Sequence, residues 1–129
     1  MREYHCRGKR INNGEWVYGW YAKCFRPFHA DADVIITKKG ETVEIYPETA
    51  GQHTGLKDKN GRGVYEGDIV RYGDTIHKIV FEQRNNTAYF GLVYSPLETL
   101  PFGHYQDFRQ IEVIGTIYDN PELLKEGSI

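Results

Sequence analysis

His5, Cys6, Cys24, His29 and His53 carry the side chains that zinc prefers, thiolate sulfur and imidazole nitrogen. Their spacing argues against a shared site. Structural zinc sites in small domains draw their ligands from close pairs, and adjacent His5 and Cys6 on a strand point to opposite faces. The expectation is two reduced thiols, scattered histidines, and no metal or other cofactor. Asp58-x-Asn60-x-Arg62-Gly63 opens like a calcium loop, with oxygen ligands first and third and glycine sixth. Its fifth place holds Arg62 and its twelfth Ile69, a cation and an aliphatic where calcium requires oxygen and a bidentate glutamate. Ser95, His104 and Asp107 supply the residue types of a hydrolytic triad, but Tyr94-Ser95-Pro96 lacks the flanking glycines that expose a nucleophile. The pairs Glu66 with Asp68 and Glu82 with Glu112 have no spacing that separates an acid from a base. No catalytic residue is assigned, and the chain is not expected to be an enzyme.

A binding surface is the other chemistry on offer. Trp16, Tyr18 and Trp20 share one face of a strand, while Val17, Gly19 and Tyr21 share the other. Apolar residues on both faces predict a central strand packed on both sides. The functional reading is a stacking platform for bases or a hot spot for a protein, flanked by Arg7, Lys9, Arg10 and Lys23. For the basic cluster itself, a solvated edge strand is the simpler expectation, because the chain is slightly acidic overall and nucleic-acid binding needs several cations on one face. Phe102 and Tyr105 stand in a long segment, 95–110, whose apolar residues either cap the fold or form an interface.

The elements that position these residues read as strands almost throughout. Segments 2–6 and 15–22 flank Asn13-Gly14, the strongest short hairpin signal. Segments 33–38 and 42–46, rich in β-branched residues, flank Lys39-Gly40. Four more strands follow at 68–72, 75–82, 87–94 and 111–118, with turns at Gly73-Asp74 and Arg84-Asn85-Asn86. Connections this short leave no room for crossover helices, so the expected fold is all-β, with antiparallel small sheets or SH3-like barrel-type β subdomains. One short C-terminal helix is marked by its ends: Asn120 as cap, Pro121 at the first position, Glu122 near the positive dipole end and Gly127 as the stop.

The chain of 129 residues, 40% hydrophobic and 26% charged, can bury one modest core. A single domain over 1–129 is expected, with subdomains at 1–53 and 62–118 that share that core. No apolar run approaches bilayer length and residues 1–15 are polar, which predicts a cytoplasmic protein without a membrane partner. Residues 1–62 carry 11 basic and 8 acidic residues, whereas 63–129 carry 5 and 10. Opposed potentials of this kind orient a partner or favour head-to-tail homo-oligomers.

The phrase Thr54-Gly-Leu-Lys-Asp-Lys-Asn-Gly-Arg-Gly-Val-Tyr-Glu-Gly-Asp-Ile-Val70 runs a dense turn signal into a strand signal. With Pro47-Glu48-Thr49 before it and Ile114 to Leu124 after it, it resembles the YopX family of small proteins from temperate phages and prophages of Gram-positive bacteria. His53, where an aromatic is expected, and Gly63, in place of a polar residue, depart from that pattern. The resemblance implies a fold and a phage setting and brings no catalytic residue with it. Two functions follow as expectations. The first is a non-enzymatic accessory protein that binds a protein partner, a host factor among the candidates. The alternative is a nucleic-acid-binding module built on Arg7, Lys9, Arg10, Trp16, Tyr18 and Trp20.

Overall fold

The computed structural model describes residues 5–84, 87–95, 98–101 and 110–127. They form antiparallel strands in two compact units, Met1–His53 and Thr54–Ile129. In the first, β1 (Cys6–Lys9), β2 (Trp16–Cys24), β3 (Ala32–Ile36), β4 (Thr42–Glu44) and the start of β5 (Gly51–Lys57) lie in the order β4-β3-β2-β1-β5. Asn13-Gly14 makes the first turn: Gly14 adopts a φ of 74° and donates to Arg10 O at 2.8 Å, while Asn13 Oδ1 accepts from Glu15 N at 2.9 Å. Thr37 closes the second, accepting from Gly40 N at 2.8 Å through its carbonyl and from Glu41 N at 3.1 Å through Oγ1. Val17, Ile35 and Ile45 form the buried cluster between these strands. Gly19 is required there, since a Cβ at that position would collide with the carbonyl of Ile36.

The second unit holds the end of β5, β6 (Gly63–Tyr65) beside it, and a five-stranded sheet. That sheet comprises β7 (Asp68–Tyr72), β8 (Thr75–Arg84), β9 (Thr87–Ser95), β10 (Glu98–Pro101) and β11 (Ile111–Thr116), in the order β10-β9-β8-β7-β11. Gly73-Asp74 is the two-residue turn between β7 and β8, with Tyr72 opposite Thr75. Val64, Val70, Ile79, Leu92, Ile111 and Val113 form one buried cluster, with Tyr72 and Phe90 packed on it. The helix α1 (Glu122–Gly127) follows Pro121, and Asn120 Oδ1 accepts from Thr116 N at 3.2 Å, which ties the helix entry to the end of β11.

The all-β antiparallel class and the short C-terminal helix agree with the sequence reading. The sheets keep edge strands, and no closed barrel forms among the described residues. In the first unit a single bridge, Arg10 to Ile45, links the ends of β1 and β4. The residues around 58–62 do form a turn, but strands β5 and β6 flank it where the sequence shows only turn chemistry. β10 likewise occupies part of the segment read as a long connection. Residues 1–4, Asn85, Asn86 and 102–109, with Phe102, Tyr105, His104 and Asp107, lie outside the described residues. No helix among the described residues is long and apolar enough to cross a membrane.

Candidate interaction surface

The β1–β2 register sets Arg7 opposite Tyr18 and Lys9 opposite Trp16. Directly opposed residues share a face, so Arg7, Lys9, Trp16, Tyr18 and Trp20 are brought together. Both cations are turned onto one ring, with Arg7 Cζ 4.4 Å and Lys9 Nζ 5.5 Å from the Trp16 centroid, which is cation–π geometry. Arg10 alternates to the other face and lines a cavity of about 350 Å³ with Ile11, Asn12 and Glu41–Glu44. The solvated-edge expectation for this cluster is corrected: β1 lies between β2 and β5, and Arg7 is only 2% exposed. Trp16 and Tyr18 are half-buried, and Trp20, at 37%, reaches the surface. The strand is therefore neither an open platform nor packed fully on both sides.

Beyond Cys24, β2 gives way to a loop whose rings are far more exposed than Trp20. Phe25 is 76% exposed and Phe28 fully so. His29 N donates to Arg26 O at 3.2 Å, closing a four-residue turn with Pro27 second and Phe28 third, and Phe28 has a φ of 68°. A positive φ at the third place of such a turn ordinarily selects glycine, and for an L side chain it costs about 1–2 kcal/mol. Arg26 fixes the loop from beneath: its Nε donates to Ala30 O at 2.9 Å and its Nη1 lies 3.5 Å from Glu44 Oε1. Next to the loop, Tyr21 donates its hydroxyl to Asp33 Oδ2, and Lys23 Nζ lies 3.4 Å from Asp33 Oδ1. The Tyr21 hydrogen bond, followed by the hydrogen bond and charge of Lys23, holds the Asp33 carboxyl below the usual range, and the same Tyr21 bond raises the Tyr21 phenol. Sequence reasoning missed Phe25 and Phe28. The signal was Pro27 between two aromatics, a turn residue inside an apolar stretch.

The candidate chemical residues have structural partners. Asp58 is buried and accepts three backbone N–H groups, from Asn60 and Arg62 at Oδ1 and from Val113 at Oδ2, each at 2.9 Å. Lys59 N donates to Ile111 O at 2.8 Å, so this turn occupies the outer edge of β11. Asp68 Oδ2 accepts from Tyr65 N at 2.8 Å. His77, buried on β8, contacts Val93 O at 3.0 Å through Nδ1 and Thr75 Oγ1 at 2.6 Å through Nε2. Cys6 is half-buried on β1, Cys24 is exposed at the end of β2, His29 lies in the phenylalanine loop and His53 on β5. Among the described residues, no three His, Cys, Asp or Glu side chains gather as metal ligands do.

A family model described as "YopX protein" matches residues 7–125. The chain belongs to the YopX family. Protein EF1440 from Enterococcus faecalis has a similar solved structure, with a TM-score of 0.52 and 25% identity over 93% of this YopX chain and 96% of that one. A comparison with curated proteins gives no match. The family match includes the basic strand, the aromatic strand, the Phe25–Phe28 loop and the Asp58 turn, so each belongs to the part of the chain that is recognisably YopX.

Proposed function

We propose that this YopX protein is a non-enzymatic protein-interaction module, a phage accessory protein that works in the host cytoplasm by binding a protein partner. The observation that carries this reading is the set of exposed rings in Met1–His53: Trp20 and Tyr21 on the two faces of β2, and Phe25 and Phe28 in the loop that follows it. Exposed aromatics are the side chains from which interface hot spots are made, because they bury large areas with few rotamers to freeze. The non-enzymatic part is supported by the engagement of Asp58 and Asp68 with backbone amides, which fits structural roles.

The nucleic-acid alternative draws less support. Arg7 is buried and Lys9 lies against Trp16, so two of the three cations it requires are directed at the protein's own ring. Single-stranded oligonucleotides at physiological salt should bind no tighter than about 10⁻⁴ M, the weak end of non-specific affinity. The test is a tagged pull-down from host cells with and without nuclease, followed by binding measurements with each purified candidate. A partner retained after nuclease and bound directly supports the reading. Tight binding to oligonucleotides that falls steeply with salt would replace it with the alternative.

A further inference from the structure

Phe25 and Phe28 are presented by a loop that is built, not merely left over between two strands. Pro27 fixes one backbone angle and restricts Arg26 before it. The His29–Arg26 hydrogen bond closes the turn, and Arg26 is tied to both Ala30 and Glu44. Phe28 is held in a left-handed conformation that a glycine would adopt freely, while its ring touches solvent on all sides. Strain retained around a solvent-exposed apolar ring has no packing benefit within the unit, and such strain concentrates where a binding element must be held ready.

Resting on the interaction reading above, we infer that the loop between β2 and β3 is a preorganised plug whose two phenylalanine rings enter an uncharged, concave pocket on a different protein. The charges around the loop point to this occupant. Lys23 is paired with Asp33 and Arg26 with Glu44, and Asp31 adds another carboxylate. With two cations against three carboxylates, the rings emerge from a rim that is not basic, whereas anionic lipid surfaces and nucleic acids attract a basic one. Among the described residues, the two cavities present are poor sockets for a second copy of the chain. The cavity of about 350 Å³ in the first unit is lined by Arg10, Glu41 and Glu44, and that of about 320 Å³ in the second by Lys59, Arg71 and Glu112. Neither is an apolar slot. Two rings against a flat copy of themselves offer about 300–500 Å², short of the roughly 800 Å² per partner of a stable interface. A concave pocket makes two rings sufficient, since enclosed aromatic anchors dominate binding and a fixed loop loses little freedom on docking.

The test is site-specific photo-crosslinking in host cells, with benzoylphenylalanine placed at Phe28 and, in a separate variant, at Trp20. The expected result is one protein adduct from position 28, its crosslinked peptide lining an apolar pocket. The purified partner should then bind the native chain and lose about 100-fold or more in affinity for Phe25→Ser/Phe28→Ser, with that variant's circular dichroism and unfolding midpoint preserved. An adduct that is lipid, nucleic acid or a second copy overturns the inference. So does sedimentation of the native chain, but not the double variant, with vesicles of phosphatidylcholine and phosphatidylglycerol. A protein adduct from Trp20 with none from Phe28 overturns the plug and leaves the interaction-module reading standing, while no protein adduct from either position overturns both.

Discussion

In Thr54–Ile129 six side chains, Val64 to Val113, meet in one buried cluster, whereas in Met1–His53 the buried cluster is Val17, Ile35 and Ile45. Exposure runs the other way. Of eight large apolar side chains exposed among the described residues, seven belong to the first unit, and Phe81 alone to the second. The second unit also seals its polar interior: Asp58 covers an edge of β11, and His77 uses both ring nitrogens. Both units are made of the same antiparallel hairpins. Among the described residues, one buries more of its large apolar side chains in a core and the other leaves more of them exposed, which is the contrast on which the proposed partner surface rests.

The largest effect should come from the scaffold core. Leu92→Ala empties a fully buried place in the six-residue cluster and should lower stability by about 3–5 kcal/mol. Ile35→Ala, in the smaller cluster, should cost about 2–3 kcal/mol, since fewer buried neighbours are left around the cavity. Urea unfolding gives both values, and the reverse order would break the comparison. Asp58→Ala should follow at about 2–4 kcal/mol, because it removes a charged acceptor and strands the buried Val113 amide. Faster hydrogen exchange at Val113 N would report the loss at its origin. Trp16→Ala should cost about 1–3 kcal/mol, less than a fully buried ring, from partial burial and two cation–π contacts.

The hairpins were legible because Asn13-Gly14, Lys39-Gly40 and Gly73-Asp74 specify turns locally, and α1 because Pro121 and Gly127 mark its ends. β5 and β6 were not. Gly51, Gln52, His53 and Gly55 have weak strand preference, and the pairing of β5 comes from neighbouring strands. The burial of Arg7 was hidden for a related reason: charge argues for exposure, and only the register with β2 shows that the guanidinium lies over Trp16. Phe25 and Phe28 failed in the opposite sense, since aromatics are read as core by default, and Pro27 between them is the one local mark of a turn that holds them out of it.

Smaller effects sharpen the display side. Phe28→Asn should raise stability by about 0.5–1 kcal/mol, a gain of the size seen when backbone conformation and residue agree, because asparagine tolerates the left-handed region and no packing is lost. Thermal unfolding reads this directly, and a destabilised variant would remove the strain argument. The smallest effect concerns Tyr21 and Asp33. The lowered Asp33 carboxyl contributes stability above its ordinary range that is lost as pH falls through its folded value. The raised Tyr21 phenol contributes stability below its ordinary value near 10 that is lost as pH rises through its folded value. Tyr21→Phe should flatten both limbs of the pH–stability curve, and an unchanged curve would show that the pair is of no consequence.

The division between scaffold and display is tested most directly by placing the same photo-crosslinker at Phe28 in the first unit and at Phe81, an exposed ring of the second, in parallel host cultures. A specific protein adduct is expected from position 28 and none from position 81. An adduct from position 81 with none from position 28 would contradict that division.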